Sequence, residues 1–546
     1  MNRPMKPQLF ISLQHYSKEN FLKDMVSGII VAIIALPLSI ALALASGVGP
    51  EEGIYTAIVA GFLISALGGS RVQIAGPTAA FATIVAGIVA ENGKAGLAAA
   101  TLMAGILLVI MGLCRFGTLI KFIPYTITTG FTGGIAVTIV IGQLKDFFGL
   151  TFTHSPVEIP DKVKEVITCF HTVNWMAVGI GVLALAILIT FPYVSKKIPP
   201  SLIAVIVTAL VVKLANLPVN TIGDLYTISG KLPQLSIPAF DLRTMLAVAP
   251  DAFTIAFLAA IESLLSAVVA DEMIGDRHNS NMELVAQGIG NAASAMFGGI
   301  PATGAIARTA ANIKNGATSP VSGMIHSLVL ILTLVLLMPY AAMIPMPCIA
   351  SILFIVAYNM CGWRKFRDII KRSPASDIAV LLITFALTVV FDLVVAIAVG
   401  LLLACLLFMK RMADVSHVQE WEYIEDGDAH NEKFKRVPEH VMVFEISGPM
   451  FFGAAEKIPH VDRFEWKRVM ILRMRAVPAL DITAMNGLVR LREECRSHGI
   501  QMILSHVNEQ PLSVMKKAGF YTEENAKFFA ANIDEALEMA AHINND

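Results

Sequence analysis

GGSRVQIAGPT, residues 68–78, and GGIPATGAIAR, residues 298–308, decide how this 546-residue chain is read. LISAL precedes the first and ASAMF the second. A slide of 230 positions lays Gly68–Gly69 on Gly298–Gly299 and Thr78 on Arg308. Glycine is frequent in membrane helices, so the match stands either as coincidence or as a trace of internal duplication. Both stretches begin with extended-leaning residues, VQI and PATG, and lead into a short helix. Pro77 after Gly76 suits a helix start, because proline is favoured in the first turn. A helix that starts inside a membrane exposes unpaired N–H groups, and the positive end of its dipole attracts anions. Interrupted segments at corresponding positions of two halves point to a transporter's midplane site. An ordinary kink between packed helices is the plainer alternative.

Composition supports a membrane setting for both stretches. The chain is 55% hydrophobic and 15% charged, with a mean hydropathy of +0.68, against about 25% charged residues in soluble domains. The net charge of −1 gives no reason to expect a nucleic-acid partner. Residues 24–410 are mostly apolar runs, whereas the rest is dense in Lys, Arg, Asp and Glu. The expected organisation is an N-terminal segment 1–23, a transmembrane domain 24–410, a linker 411–438 and a soluble domain 439–546. The six cysteines form no CxxC pair and are expected as free or buried thiols. The polar, basic N-terminus lacks a short apolar core with a cleavage site, so no signal peptide is expected.

A span needs about 20 apolar residues. Clear candidates are 25–46, 54–69, 95–113, 173–193, 200–216, 252–270, 318–338, 343–358 and 378–409. The last is too long for one crossing and is expected to turn near Asp392. Weaker Gly- and Thr-rich segments lie at 74–90, 122–144, 283–299 and 301–315, giving fourteen segments in two sets of seven. With Arg3, Lys6, Lys18 and Lys23 cytoplasmic, the inward connections carry Arg71, Arg115 with Lys121, Lys196 with Lys197, Arg364 to Arg372, and Lys410 with Arg411. The outward ones carry Glu51, Glu52 and the polar loop 217–249. This bias places both termini inside a cell membrane.

Two ionisable residues stand out within the spans. Glu262 is the only one between Ala252 and Ala270, and a charge there costs about 2.5–3.5 kcal/mol on insertion scales. Arg308 opens the second short helix, where a permanent guanidinium charge needs an anion or a carboxylate partner. Either it snorkels to the interface or it adds positive potential to a site between two helix starts.

DMVSGIIVAIIALPLSIALALASGVGPEEGIY, GGSRVQIAGPTAAF and NSNMELVAQGIGNAASAMFGGIPATGAIARTAAN together resemble the SulP sulfate-permease family of anion transporters, and the likeness covers essentially the whole chain. The resemblance implies an α-helical membrane protein of fourteen segments in a seven-plus-seven inverted repeat, with a cytoplasmic α/β STAS domain. Segments 1–4 and 8–11 would form a core and the others a gate. The anion would sit against Leu38 and Leu42 of segment 1, Gly76, Pro77, Thr78 and Ala79 of segment 3, and Gly304, Ala305, Ile306, Ala307 and Arg308 of segment 10. Some members carry Gln at the place of Leu38, an aromatic at Thr78 and Ser at Ala307, so this pocket relies more on backbone N–H groups and the Thr78 hydroxyl.

Glu262 and Ser266 occupy the place where the family's sodium-coupled bicarbonate carrier has Asp and Thr. Na⁺ remains a candidate at this pair, but few other oxygen ligands accompany it. An acid in an apolar wall suits proton exchange, and proton coupling is the favoured expectation. A purely structural ion pair between Glu262 and Arg308 is the alternative. The expected activity is proton-coupled symport of a small anion by alternating access, with fumarate or succinate favoured through GPMFFGAAE and AVPALD in the tail. Bicarbonate or sulfate carriage, sodium coupling, and an exchanger or channel remain open. No Walker A, HExxH or GxSxG motif occurs, and neither enzyme activity nor a cofactor is expected.

In the tail, HVMVFEIS, RVMILRM and QMILSHV read as strands, with a helix from Asp481 and two more at the end. Where STAS antagonists carry a phosphorylatable Ser, Thr483 stands either as a phosphate acceptor or as a helix cap. The resemblance implies a homodimer and docking of cytoplasmic partners through this domain.

Overall fold

The computed structural model describes all residues except 1–4, 119–123, 155, 157, 196–197, 227, 229, 237–241, 392, 421–436, 460–466 and 544–546. Arg3, Lys121, Lys196, Lys197 and Asp392 therefore lie outside the described residues. Two compact units divide the chain, Met1–Leu401 and Leu402–Asp546.

In chain order the apolar helices are α1 (Lys18–Ala45), α2 (Pro50–Leu67), α3 (Ala79–Leu113), α4 (Tyr125–Phe148), α5 (Trp175–Val194), α6 (Pro200–Leu214), α7 (Leu242–Ile274), α8 (Ser280–Met296), α9 (Ile306–Lys314), α10 (Val321–Ala341), α11 (Met346–Cys361), α12 (Ala375–Val390) and α13 (Leu393–Val415). Among the described residues, eight helices are long and apolar enough to cross a membrane. α3 contains two of the expected segments, separated at Gly93, whose φ of 67° breaks the helix. The long run 378–409 is likewise two helices, ending at Val390 and restarting at Leu393.

Packing sorts the helices into two groups. α8 and α7 lie on α3, α8 also lies on α2, and α10 packs on α1 and α2. α4 packs on α11 and α12, while α5 packs on α11 and α6. These are the memberships expected of core and gate. Close approach depends on small residues. A Cβ on Gly105 would lie 2.7 Å from the carbonyl oxygen of Gly288, and one on Gly134 2.6 Å from Thr388.

Between α2 and α3, and between α8 and α9, the chain is extended. Strand β1 (Ala75–Gly76) pairs antiparallel with β2 (Thr303–Gly304), Ala75 opposite Gly304 and Gly76 opposite Thr303. Backbone groups buried in hydrocarbon must find partners within the protein, and side chains supply the rest. Asn291 accepts from the N–H of Ala302 at 2.8 Å and donates to its carbonyl at 2.9 Å. Thr56 accepts from the N–H of Ile300 at 2.7 Å, and Thr309 from that of Ile74 at 3.1 Å. Ser263 accepts from the N–H of Gly304 at 3.0 Å, and Asn312 donates to the carbonyl of Val72 at 2.9 Å.

The uniform slide of 230 positions needs correction. It holds from the first residue of α2 to that of α8, Pro50 to Ser280, but α3 starts at Ala79 and α9 at Ile306, which is 306 − 79 = 227. α8 is one residue shorter than α2, and the second interrupted stretch, 297–305, is two residues shorter than the first, 68–78. Arg308 is thus the third residue of its helix, not the counterpart of Thr78.

In the second unit, strands β3 (His417–Glu420), β4 (Val441–Ser447), β5 (Val469–Ala476), β6 (Gln501–Ser505) and β7 (Phe529–Ala530) form one sheet in that order. β4 to β7 are parallel neighbours, and β3 pairs antiparallel with β4. The linker expected at 411–438 is corrected at its start: α13 runs on to Val415, and His417–Glu420 is an edge strand of the domain. HVQE is short, and three of its four residues are exposed, so it carries no alternating apolar pattern. The helix Ile482–Ser497 is capped by Asp481, whose carboxylate accepts from the N–H of Ala484 at 2.8 Å. Thr483 is not the cap and is exposed.

Asn291→Ala leaves both backbone groups of Ala302 without their partner and is expected to cost about 2–4 kcal/mol. A thermal unfolding midpoint in detergent equal to that of the parent protein would contradict this role.

Candidate functional site

The crossing of β1 and β2 places the starts of α3 and α9 together. The cap residues, Thr78 and Ala305, give neither helix a side-chain cap. Thr78 instead donates its hydroxyl hydrogen to Oε2 of Glu262 at 3.0 Å, tying the acid of α7 to the start of α3. Glu262 and Thr78 are half-buried, and Ile306 and Ala307 are exposed. The accessible wall therefore presents two uncapped helix starts, a hydroxyl and a carboxyl group.

Arg308 lies behind that wall. It is 1% exposed, which excludes snorkelling to the interface. Nη2 donates to the carbonyl of Pro77 at 3.1 Å and to Oγ of Ser39 at 3.4 Å. Nε and Nη1 have no hydrogen-bond partner among the described residues. Among the described residues no carboxylate forms an ion pair with it; Glu262 bonds to Thr78, so the structural Glu262–Arg308 pair is not formed. The guanidinium rests against the backbone of Gly76, where an added Cβ would lie 2.4 Å from Nη1. Gly304 is held as tightly, its missing Cβ falling on the amide of Gln73.

Ser266, one turn beyond Glu262, faces a different partner. Its hydroxyl lies 3.3 Å from that of Thr309, which in turn accepts from the Ile74 N–H. Ser263 meets Thr303 at 2.7 Å. The hydroxyls of α7 thus brace β2 and α9.

The remaining expected residues divide. Gly76, Pro77, Ala79 and Gly304 are buried at the crossing, and Ala305 is half-buried beside it. Leu38 is half-buried and packs against Ala184, Leu188, Ala204, Cys348 and Ile352 of α5, α6 and α11, on the seam between the two packing groups. Leu42 is buried in α1. The expected set omitted Ser39, Gln73, Asn291 and Asn312, which fasten Arg308 and the strands. For Ser39, Asn291 and Asn312, polar residues isolated in otherwise apolar or small-residue helices were the available signal, and for Gln73 its place in the interrupted stretch. His326 of α10 was also omitted; it is fully buried, and neither ring nitrogen has a hydrogen-bond partner among the described residues.

Residues 21–384 match the sulfate permease family, and residues 434–536 match the STAS domain. YvdB of Bacillus subtilis (strain 168), named provisionally as a sulfate transporter, is 39% identical over 95% of this chain and 98% of its own. The bicarbonate transporter BicA of Synechocystis sp. (strain ATCC 27184 / PCC 6803 / Kazusa) is 32% identical over 88% of this chain and 87% of its own. The structure of the murine solute carrier 26 family member A9 anion transporter in its inward-facing state superposes with a TM-score of 0.87, covering 98% of this chain and 94% of that one. At 18% identity the last likeness concerns the fold.

Gly76→Ala is expected to drive the Arg308 guanidinium from its seat at about 1–3 kcal/mol of overpacking strain, weakening anion binding about tenfold or more. Gly87→Ala, in a position with no neighbour within 4 Å, serves as the control. Equal anion affinity in the two variants would show that the seat of Arg308 does not matter.

Proposed function

The chain belongs to the sulfate permease family, and from that premise we propose that it is a secondary active transporter coupling a small anion to a proton. The observation that carries this reading is Arg308, a buried cation with no carboxylate partner among the described residues, set behind two uncapped helix starts. An uncompensated charge in a low-dielectric interior is costly, and an anion held at the helix starts relieves that cost. The peptide dipoles add to the same potential.

Glu262 is the coupling group in this reading. Ionised, it accepts from Thr78 and opposes an incoming anion at the same wall; protonated, it no longer repels one. Anion and proton then enter together, and the core group moves past the gate group to open the site on the other side. Ser266 supports a proton over Na⁺, since its hydroxyl is engaged with Thr309 while Glu262 is engaged with Thr78.

The substrate is proposed as a small oxyanion. Fumarate and succinate are put forward on the likeness of the tail, with the bicarbonate of BicA and the sulfate of YvdB's provisional name as the competing candidates. The cell membrane, cytoplasmic termini and a homodimer complete the proposal, with Thr483, exposed at the start of its helix, as a phosphate acceptor.

Uptake of a labelled anion panel into proteoliposomes tests this. Uptake should rise when the outside is made more acidic than the lumen and stay flat under an inward Na⁺ gradient. Glu262→Gln should lose the response to the pH gradient while still binding the anion. A variant that keeps the full response would remove Glu262 from the mechanism, and stimulation by Na⁺ alone would replace the proton.

A further inference from the structure

A cavity of about 420 Å³ lies between the C-terminal halves of α1 and α10 and the length of α6 from Leu202 to Lys213. Its size is that of a small-molecule site, which spans about 300–1,000 Å³. Pro37 and Ile40 of α1, Ile206 and Ala209 of α6 and Leu337 of α10 line it, and no acidic residue does. Ile206, Leu337 and the neighbouring Tyr340 are exposed, so the crevice opens on a surface that the membrane would cover. Water gains nothing in such a crevice, because an apolar wall offers it no hydrogen bonds. A hydrocarbon chain fits the lining.

One charge marks its end. Lys213, in the last turn of α6, is the only ionisable lining residue apart from the Tyr340 phenol. Its ammonium group lies 3.6 Å from the Met343 sulfur and forms no ion pair among the described residues. The side chain is exposed and can meet a headgroup at the interface while its stem lies along the apolar wall.

We propose that this crevice is a binding site for one anionic phospholipid, its acyl chain lying between α1, α6 and α10 and its phosphate on Lys213. α1 and α10 belong to the core group and α6 to the gate group. A chain seated between them therefore lies on the seam along which the transport reading makes the groups slide, and bilayer composition becomes a control on that motion. Only this consequence rests on the proposed function; the binding does not.

The test is native mass spectrometry of the full-length protein, purified after exposure to equal amounts of phosphatidylglycerol and phosphatidylcholine. The parent protein should retain phosphatidylglycerol in preference. Lys213→Gln, a surface change that spares the core, should lower that preference about fivefold, the effect of one basic residue near an anionic headgroup. Ala209→Phe, which fills the crevice, should reduce retention of both lipids. An unchanged preference in Lys213→Gln, or full retention in a folded Ala209→Phe, would overturn the site. These readouts hold whether or not any anion is carried.

Discussion

The extended backbone at the crossing of two interrupted helices is the constraint on which the rest of the first unit depends. Hydrocarbon offers no partner for peptide groups, so two short strands can exist there only if the protein satisfies every one of them. Mutual pairing of Ala75–Gly76 with Thr303–Gly304 meets part of the demand. Thr56, Ser263, Asn291, Thr309 and Asn312, drawn from four different helices, meet a further share. This explains why otherwise Gly- and Ala-rich helices each spend a buried polar side chain.

The same constraint creates the electrostatics. Interrupting a helix produces a free N-terminus, and placing two interruptions together puts both positive ends at one wall. Arg308 strengthens the potential without occupying the wall, because glycine at position 76 lets the guanidinium lie against the strand. Any larger residue there would push the charge away. Glycine at 304 is required for a different reason, the close passage of Gln73. The acid enters through a single hydrogen bond, from Thr78 to Glu262, so the residue that precedes α3 also positions the carboxyl group.

Much of this was legible in the sequence. Long apolar runs announced the helices, the expected segments 74–90 and 95–113 fall on either side of the break that the structure places at Gly93, and the paired glycines marked both interruptions. Glu262 and Arg308 stood out because ionisable residues are expensive in such surroundings. Other features were hidden for physical reasons. A helix α8 one residue shorter than α2 and an interruption two residues shorter together shift the register by three residues, which identity between GG pairs cannot reveal. Strand β3 is an exposed edge of four residues next to a charged stretch, and reads as linker. Whether Glu262 would face Arg308 or Thr78 depends on how α7 is rotated against β1, a tertiary outcome that spacing does not encode.

The central claim is that an anion binds at the two helix starts in front of Arg308. The most direct measurement is an experimental structure at high resolution of the protein saturated with the anion it transports fastest. The account predicts density within hydrogen-bond distance of the first backbone N–H groups of α3 and α9 and of the Thr78 hydroxyl. Density lodged elsewhere between the helices, with these groups unengaged, would contradict it.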